Sequence, residues 1–468
     1  MEVDGWLARA AASRPGRVAV QTPAESITYA HLQERALDFA RWLAAEGIGP
    51  GDRVALALPA GVEFAVALHA CLLLGAPVVP VDLRLSAAER GQVTASTRLT
   101  IEAEGLTPWG RLTTHERPGC RSHQGASGSA AAPEVGSVHD LDAVAAVIHT
   151  SGTTGTAKAV ELTFGNWLWS ALGSATALGL DPRERWLCTL PLAHVGGLSI
   201  LVRSAIYATT AVVHERFDTE AVLGALGEGG ITVASLVATT LGRLLDAGVR
   251  DPGSLRCALV GGGPVAPALL ERAREAGVVV CQTYGLTEAC SQVTTAPPSA
   301  PGGPAGSRAG ADPGAGPPLF CTRVGIAPDG EILVRGPTVG PGTLAPDGWL
   351  HTGDLGEIDG GGCLHVTGRR EDTIVSGGEN VSPREVEEVL EEHHAVAEAA
   401  VVGRADPEWG EAVTAIVVLR HGARLEPEEL RRLAAARLAP FKVPKAFVFT
   451  DGPLPRTPSG KLLRRELA

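Results

Sequence analysis

The sequence predicts an α/β protein: a large N-terminal part with doubly wound sheets and a small barrel-like piece of β structure, then a small α+β unit. Three observations carry this expectation. Strand-like and helix-like segments alternate through the first 100 or so residues and again from Ala143 to Val280. Short strands broken by turns such as Pro346-Asp-Gly348 run from Gly330 to Val366, and the final hundred or so residues open on a well-marked helix start.

Taken in order, Leu32 to Ala45 reads as an amphipathic helix, and Gly49-Pro-Gly51 as the turn that separates it from the apolar run Val54 to Leu58. A second helical pattern, Val62 to Leu74, leads into Pro77-Val-Val-Pro-Val81, another apolar strand. Strand, helix and strand in succession imply a parallel sheet. Residues 115–138 and 296–318 are rich in Gly, Pro, Ala and Ser with little periodicity and read as connectors. In the last unit, Ser382 stands as N-cap, Pro383 at the first helical position and Glu385 where it closes a capping box; Val386, Val389 and Leu390 form the apolar stripe. Strands Ala399 to Val402 and Val413 to Leu419 and a helix from Pro427 to Leu438 follow.

At 468 residues the chain is long enough for about three domain-sized units, and 45% hydrophobic with 20% charged residues is ordinary for a globular protein. A net charge of −12 offers no basic field to hold nucleic acid or an anionic membrane. The acidic start Met1-Glu-Val-Asp lacks the basic and apolar regions of a signal peptide, and the most apolar run, Ala65 to Val81, is broken by His69, Gly75 and Pro77. The eight cysteines form no C-x-x-C pair. A soluble cytoplasmic protein with reduced thiols is the expectation.

Only Lys158, Lys442, Lys445 and Lys461 are lysines, so 40 − 4 = 36 of the basic residues are arginine. An ammonium retained amid so much guanidinium hints at a site that needs a point charge, most strongly at Lys158 and Lys461. Lys158 ends the loop Thr150-Ser-Gly-Thr-Thr-Gly-Thr-Ala-Lys, which follows the apolar strand Ala143 to Ile148 and precedes a helical segment. Such a loop can turn N–H groups and hydroxyls toward phosphate oxygens. It lacks the Gly-Lys-Ser/Thr ending of a P-loop.

This loop is similar to the phosphate signature of the acyl-adenylate-forming superfamily, which includes acyl-CoA synthetases, peptide-synthetase adenylation domains and firefly-type luciferases. Further matches come in that family's order: Gly261-Gly-Gly-Pro264, Tyr284-Gly-Leu-Thr-Glu288, Thr352-Gly-Asp354, Gly368-Arg-Arg-Glu-Asp372 and Pro455-Arg-Thr-Pro-Ser-Gly-Lys461. The resemblance implies a large AMP-binding domain, 1–369, hinged to a mobile domain, 370–468, with ATP, Mg²⁺ and coenzyme A as cofactor and co-substrates. It also implies the site. Thr150, Ser151, Gly152, Thr153, Thr154, Gly155 and Lys158 would hold phosphates. Gly261, Gly262, Gly263, Tyr284 and Gly285 would border adenine, and Asp354 and Arg369 the ribose. Thr287 would bond a phosphoryl oxygen and Glu288 would ligate Mg²⁺. Lys461 would be the catalytic lysine, and Gly378 would border the pantetheine passage. Glu371 occupies the hinge position, where the family more often has Asp or Lys.

Leu190-Pro-Leu-Ala-His-Val-Gly-Gly197 carries no acid to hold a substrate amine, which disfavours a free amino acid. His194 there is expected to shape the carboxylate pocket. The stretches Leu255 to Pro264, Tyr284 to Gln292 and Gly316 to Phe320 look most like the o-succinylbenzoate–CoA ligases of menaquinone biosynthesis. An aromatic acid with a keto-acid chain needs hydroxyls and amides, and Ser235, Thr239, Ser291 and Gln292 are the candidates. Another aryl- or acyl-CoA ligase is the alternative, and a nucleotide-binding homologue without chemistry a more remote one.

Overall fold

The computed structural model describes residues 1–103, 111–113, 138–150, 158–298, 314–376, 379–407, 409–457 and 462–468. Two sheets with parallel centres form the large part. The six-stranded one runs Lys158–Thr163, Val144–Thr150, Val78–Pro80, Val54–Ala57, Leu99–Glu102, Arg111–Thr113, with antiparallel strands only at its edges. The eight-stranded one runs Ser291–Thr295, Val280–Leu286, Cys257–Val260, Val233–Leu236, Arg185–Cys188, Thr210–Val213, Val18–Gln21, Ser26–Thr28, again with antiparallel edges. Parallel neighbours require crossover connections, which the helices supply.

One crossover explains how the two sheets share a core. Every residue of helix Val62–Leu74 except Glu63 is buried, and the helix touches Val54–Ala57 and Val78–Pro80 of one sheet and Val18–Gln21 of the other. A helix covered on all sides has no use for a polar face, which is why this segment is apolar all round. His69 within it is held neutral, burial pushing its pKa down to about 4. Helix Tyr29–Ala45 packs on it and begins earlier than the apolar pattern indicates, because Thr28 caps it by accepting the His31 N–H.

The antiparallel strands expected between Gly330 and Val366 form a four-stranded sheet, Arg323–Ile326, Glu331–Arg335, Leu350–Ile358 and Leu364–Arg369. The C-terminal sheet, built from Ile374–Ser376, Glu379–Val381, Val396–Asp406, Gly410–Leu419 and Ala446–Thr450, packs against helices Pro383–Glu391 and Pro427–Arg437 around its own core. Its first helix starts where Ser382 and Pro383 mark it, but the capping box does not form. Ser382 Oγ donates instead to the Thr367 carbonyl at 2.8 Å, and Glu385 takes Lys442 Nζ at 2.6 and 2.7 Å. Both side chains serve long-range contacts that local spacing does not reveal. Among the described residues no helix is long and apolar enough to cross a membrane.

Candidate active site

The clearest convergence joins three strands. Asp354 and Arg369 lie opposite each other on antiparallel neighbours, and Tyr284 reaches them from the end of Val280–Leu286. Tyr284 Oη donates to Asp354 Oδ2 at 2.8 Å, and Arg369 Nε stands 2.9 Å from Asp354 Oδ1. Asp354 is 6% exposed, yet an ionised carboxylate has about four lone-pair sites, so each oxygen can still accept another hydrogen bond. Burial first, then the Asp354 charge, raise the Tyr284 phenol well above its ordinary pKa, so it stays a neutral donor. The turn beneath is fixed by buried Glu331, which accepts the Gly353 N–H at 2.9 Å and pairs with His351 Nδ1 at 3.0 Å and Arg370 Nη2 at 3.2 Å.

Close approach of the backbone explains two glycines. A Cβ at Gly261 would lie 2.7 Å from Thr283 Cγ2, and one at Gly285 would lie 1.8 Å from the Ser291 carbonyl oxygen. Gly262 sits at φ +81°, a conformation that favours glycine, while Gly263 faces open space. Beyond Gly285 comes a 3₁₀ turn, Thr287–Ala289, followed by Cys290 at φ 53° and Ser291 at φ 91°. Two consecutive non-glycine residues in the left-handed region cost about 1–3 kcal/mol each, strain of the kind that collects at functional sites. The Glu288 carbonyl accepts the Gly340 N–H at 2.8 Å, which anchors the turn. Its half-buried carboxylate has no hydrogen-bond or ion-pair partner among the described residues, so its hard oxygens fit a Mg²⁺ ligand.

The loop ending at Lys158 requires a correction. It precedes a strand rather than a helix: Lys158–Thr163 pairs antiparallel with Val144–Thr150, and Thr150 stands opposite Lys158. The two strands that flank residues 151–157 are thus antiparallel neighbours. Thr150 Oγ1 bonds the Lys158 carbonyl at 3.4 Å, and the Lys158 side chain is exposed. Ser151, Gly152, Thr153, Thr154 and Gly155 lie outside the described residues, as do Gly378 and Lys461.

Around the expected acid pocket, His194 precedes helix Val195–Tyr207; its enclosed Nε2 has no hydrogen-bond partner among the described residues and lies 3.8 Å from Asp82 Oδ2. Burial lowers its pKa against the opposing pull of Asp82, so the ring is neutral near pH 7. Ser235 accepts Trp186 Nε1 at 2.9 Å. Gln292, 2% exposed, donates to Thr295 Oγ1 at 2.7 Å and leaves its Oε1 enclosed without a partner. Thr239, half-buried on helix Ala238–Asp246, has no hydrogen bond to this group among the described residues.

Arg203 was not singled out by its sequence context, an apolar helical run, and it lies beside Trp186, the partner of Ser235. It is 1% exposed, lies 5.7 Å from the Trp186 ring and donates from Nη2 to Ser170 Oγ at 2.9 Å, while its Nε is unpartnered. Ser170 in turn donates to the Cys290 carbonyl at 2.6 Å, beside Ser291. Among the described residues no carboxylate pairs with Arg203, and burial lowers its pKa. An enclosed cation without a counter-charge is costly unless an anion arrives.

The chain is similar to known proteins along nearly its whole length. The AMP-binding enzyme family matches residues 7–344, and the AMP-binding enzyme C-terminal domain matches 385–461. A 2-succinylbenzoate–CoA ligase of Bacillus licheniformis is 40% identical, with all of both chains covered. The Bacillus subtilis o-succinylbenzoate CoA synthetase, solved in complex with the acyl-adenylate intermediate, superposes with a TM-score of 0.86 at 36% identity, covering 100% of this chain and 98% of that one. The same enzyme solved with ATP and magnesium ion also gives 0.86, at 37% identity and full coverage of both chains.

Proposed function

Because the chain belongs to the AMP-binding enzyme family, we propose that it is an AMP-forming acid–thiol ligase that converts o-succinylbenzoate, ATP and coenzyme A to o-succinylbenzoyl-CoA for menaquinone biosynthesis. One observation carries the substrate class. A dicarboxylate keeps one charged carboxylate after the other is activated, and Arg203 is an enclosed cation with no acid partner among the described residues. Plain benzoate, acetate and fatty acids bring no second charge.

The reaction divides into two steps. A substrate carboxylate oxygen attacks the α-phosphorus of ATP and pyrophosphate leaves; the CoA thiol then attacks the acyl carbonyl of the adenylate and AMP leaves. Tyr284 offers its ring face to adenine, and Gly261, Gly262, Gly263 and Gly285 keep side chains out of that space. Asp354, held by Tyr284 and Arg369, accepts the ribose hydroxyls with its remaining lone pairs. Thr287, with Thr150, Ser151, Gly152, Thr153, Thr154, Gly155 and Lys158, contacts phosphates, and Glu288 would hold the Mg²⁺ that neutralises their charge. Lys461 stabilises charge developing at the α-phosphate. His194 orients the reacting carboxylate, with Ser235, Thr239, Ser291 and Gln292 near the keto-acid chain.

We assign 1–369 to a large nucleotide-binding domain and 370–468 to a small domain that turns between the two steps. This reading draws on the change of sheet between Arg369 and Ile374 and on the family match from 385. Substituting Gly378 with leucine should obstruct the pantetheine passage alone: adenylate formation persists and thioester formation falls. Equal loss of both in folded protein would sink the two-orientation reading.

A carboxylate panel ranked by kcat/KM for thioester formation tests the function. Polar groups left unpaired by the wrong acid cost about 1–3 kcal/mol each, so o-succinylbenzoate should exceed benzoate, acetate and amino acids by roughly 10-fold to several hundred-fold. Parity with benzoate or a medium-chain fatty acid would remove the substrate assignment and leave the ligase.

A further inference from the structure

The last residues of the chain fold back on the small domain. Leu454, Leu462 and Leu467 pack on Ala400, Val402, Ile416 and Val418. Arg456 and Leu462 form an antiparallel bridge, and the Leu463 N–H donates to the Pro455 carbonyl at 2.9 Å. These contacts tie Pro455 and Arg456 to Leu462 and Leu463, and in the sequence Lys461 immediately precedes Leu462.

One side chain clasps the tail. Arg464 Nη1 and Nη2 donate to Glu387 Oε1 and Oε2, each at 2.9 Å, a two-pronged pair between helix Pro383–Glu391 and the tail. Its Nε stands 3.3 Å from Asp372 Oδ2, on the turn Arg370–Asp372 that follows the last strand of the four-stranded sheet. Glu387 also accepts the Val401 N–H at 2.7 Å. Such planar, forked pairing fixes geometry in a way a lysine ammonium does not. Arg464 and Glu387 are 18% and 10% exposed, so the pair is poorly screened by solvent.

The geometry points to Arg464 as a positioning residue for the adenylation step: it fixes the segment that directly follows Lys461 in the chain to the helix Pro383–Glu391 and to the turn Arg370–Asp372. This rests on the reading of Lys461 as the adenylation lysine. Burial raises the Glu387 pKa to about 7 against the pull of Arg464, with Glu391 and Asp372 adding negative charge and Arg456 positive charge nearby. Arg464 is therefore the principal counter-charge that keeps this carboxylate able to grip the tail.

The test uses the full-length enzyme and separates the half-reactions. Single-turnover adenylate formation is followed with MgATP and o-succinylbenzoate, and thioester formation with supplied o-succinylbenzoyl adenylate and coenzyme A. Misplacing a catalytic group by about 1 Å can cost about 10²-fold. Arg464→Lys should lower adenylation by roughly 10- to 100-fold with the KM for ATP unchanged, and leave the second half-reaction within about twofold. A purely structural role would lower both. The double variant Glu387→Leu with Arg464→Leu removes both members of the buried pair together, so it should fold even where loss of one charge alone does not, and it should show the same selective loss. Adenylation within twofold of wild type, or equal loss of both half-reactions in folded protein, overturns the inference. Wild-type enzyme that forms no adenylate removes the functional reading itself, a result distinct from any effect of Arg464.

Discussion

Replacing Lys461 with alanine is expected to slow acyl-adenylate formation by about 10²-fold or more while leaving nucleotide binding within a few-fold of wild type. The asymmetry follows from where the contacts lie. On the proposed reading adenine and ribose would be met by Tyr284, Asp354 and Arg369, which form a connected cluster among the described residues. In the proposed role Lys461 would act on charge that appears only as pyrophosphate departs, so its removal would weaken the transition state and not the ground state. Single-turnover adenylate formation combined with equilibrium binding of MgATP separates the two quantities. A variant that makes adenylate at the wild-type rate would show that the lysine has another task.

Arg203→Met should have an effect of similar size and opposite sign on two measurements. Losing the cation opposite a buried substrate carboxylate typically costs about 2–5 kcal/mol, which corresponds to a drop in kcat/KM for o-succinylbenzoate of roughly 30-fold to several thousand-fold. Benzoate, with no second carboxylate, should be affected little. In the free protein the same change removes an enclosed charge that has no acid partner among the described residues, and methionine fills much of the arginine volume, so the melting temperature should hold or rise. Loss of stability together with an equal loss for both acids would mean that Arg203 serves packing alone.

Much of this was legible in the sequence, and the misses share physical causes. The helix Val62–Leu74 has the bounds its pattern indicates, because burial on every side left no ambiguity in its apolar run. Gly261 and Gly285 were readable as part of motifs, and the structure supplies the reason: each faces another chain segment too closely for a Cβ. The strand pairing at Lys158 was misread because one short strand, Lys158–Thr163, runs directly into a helix capped by Thr163, and local propensity does not mark the join. Ser382 and Glu385 have capping-box spacing but are taken by Thr367 and Lys442, partners remote in sequence. Arg203 and Arg464 escaped notice for a compositional reason. Where 36 of 40 basic residues are arginine, one more arginine carries no signal, whereas each lysine stood out.

The shared helix Val62–Leu74 also bears on modularity. Because it is the common wall of both large sheets, neither sheet owns a complete interior, and no cut between them would leave two self-sufficient pieces. Recombination that exchanges parts between relatives is therefore confined to seams outside that wall. The C-terminal unit, with its own apolar centre, can be traded whole; the nucleotide-binding body is inherited entire or not at all.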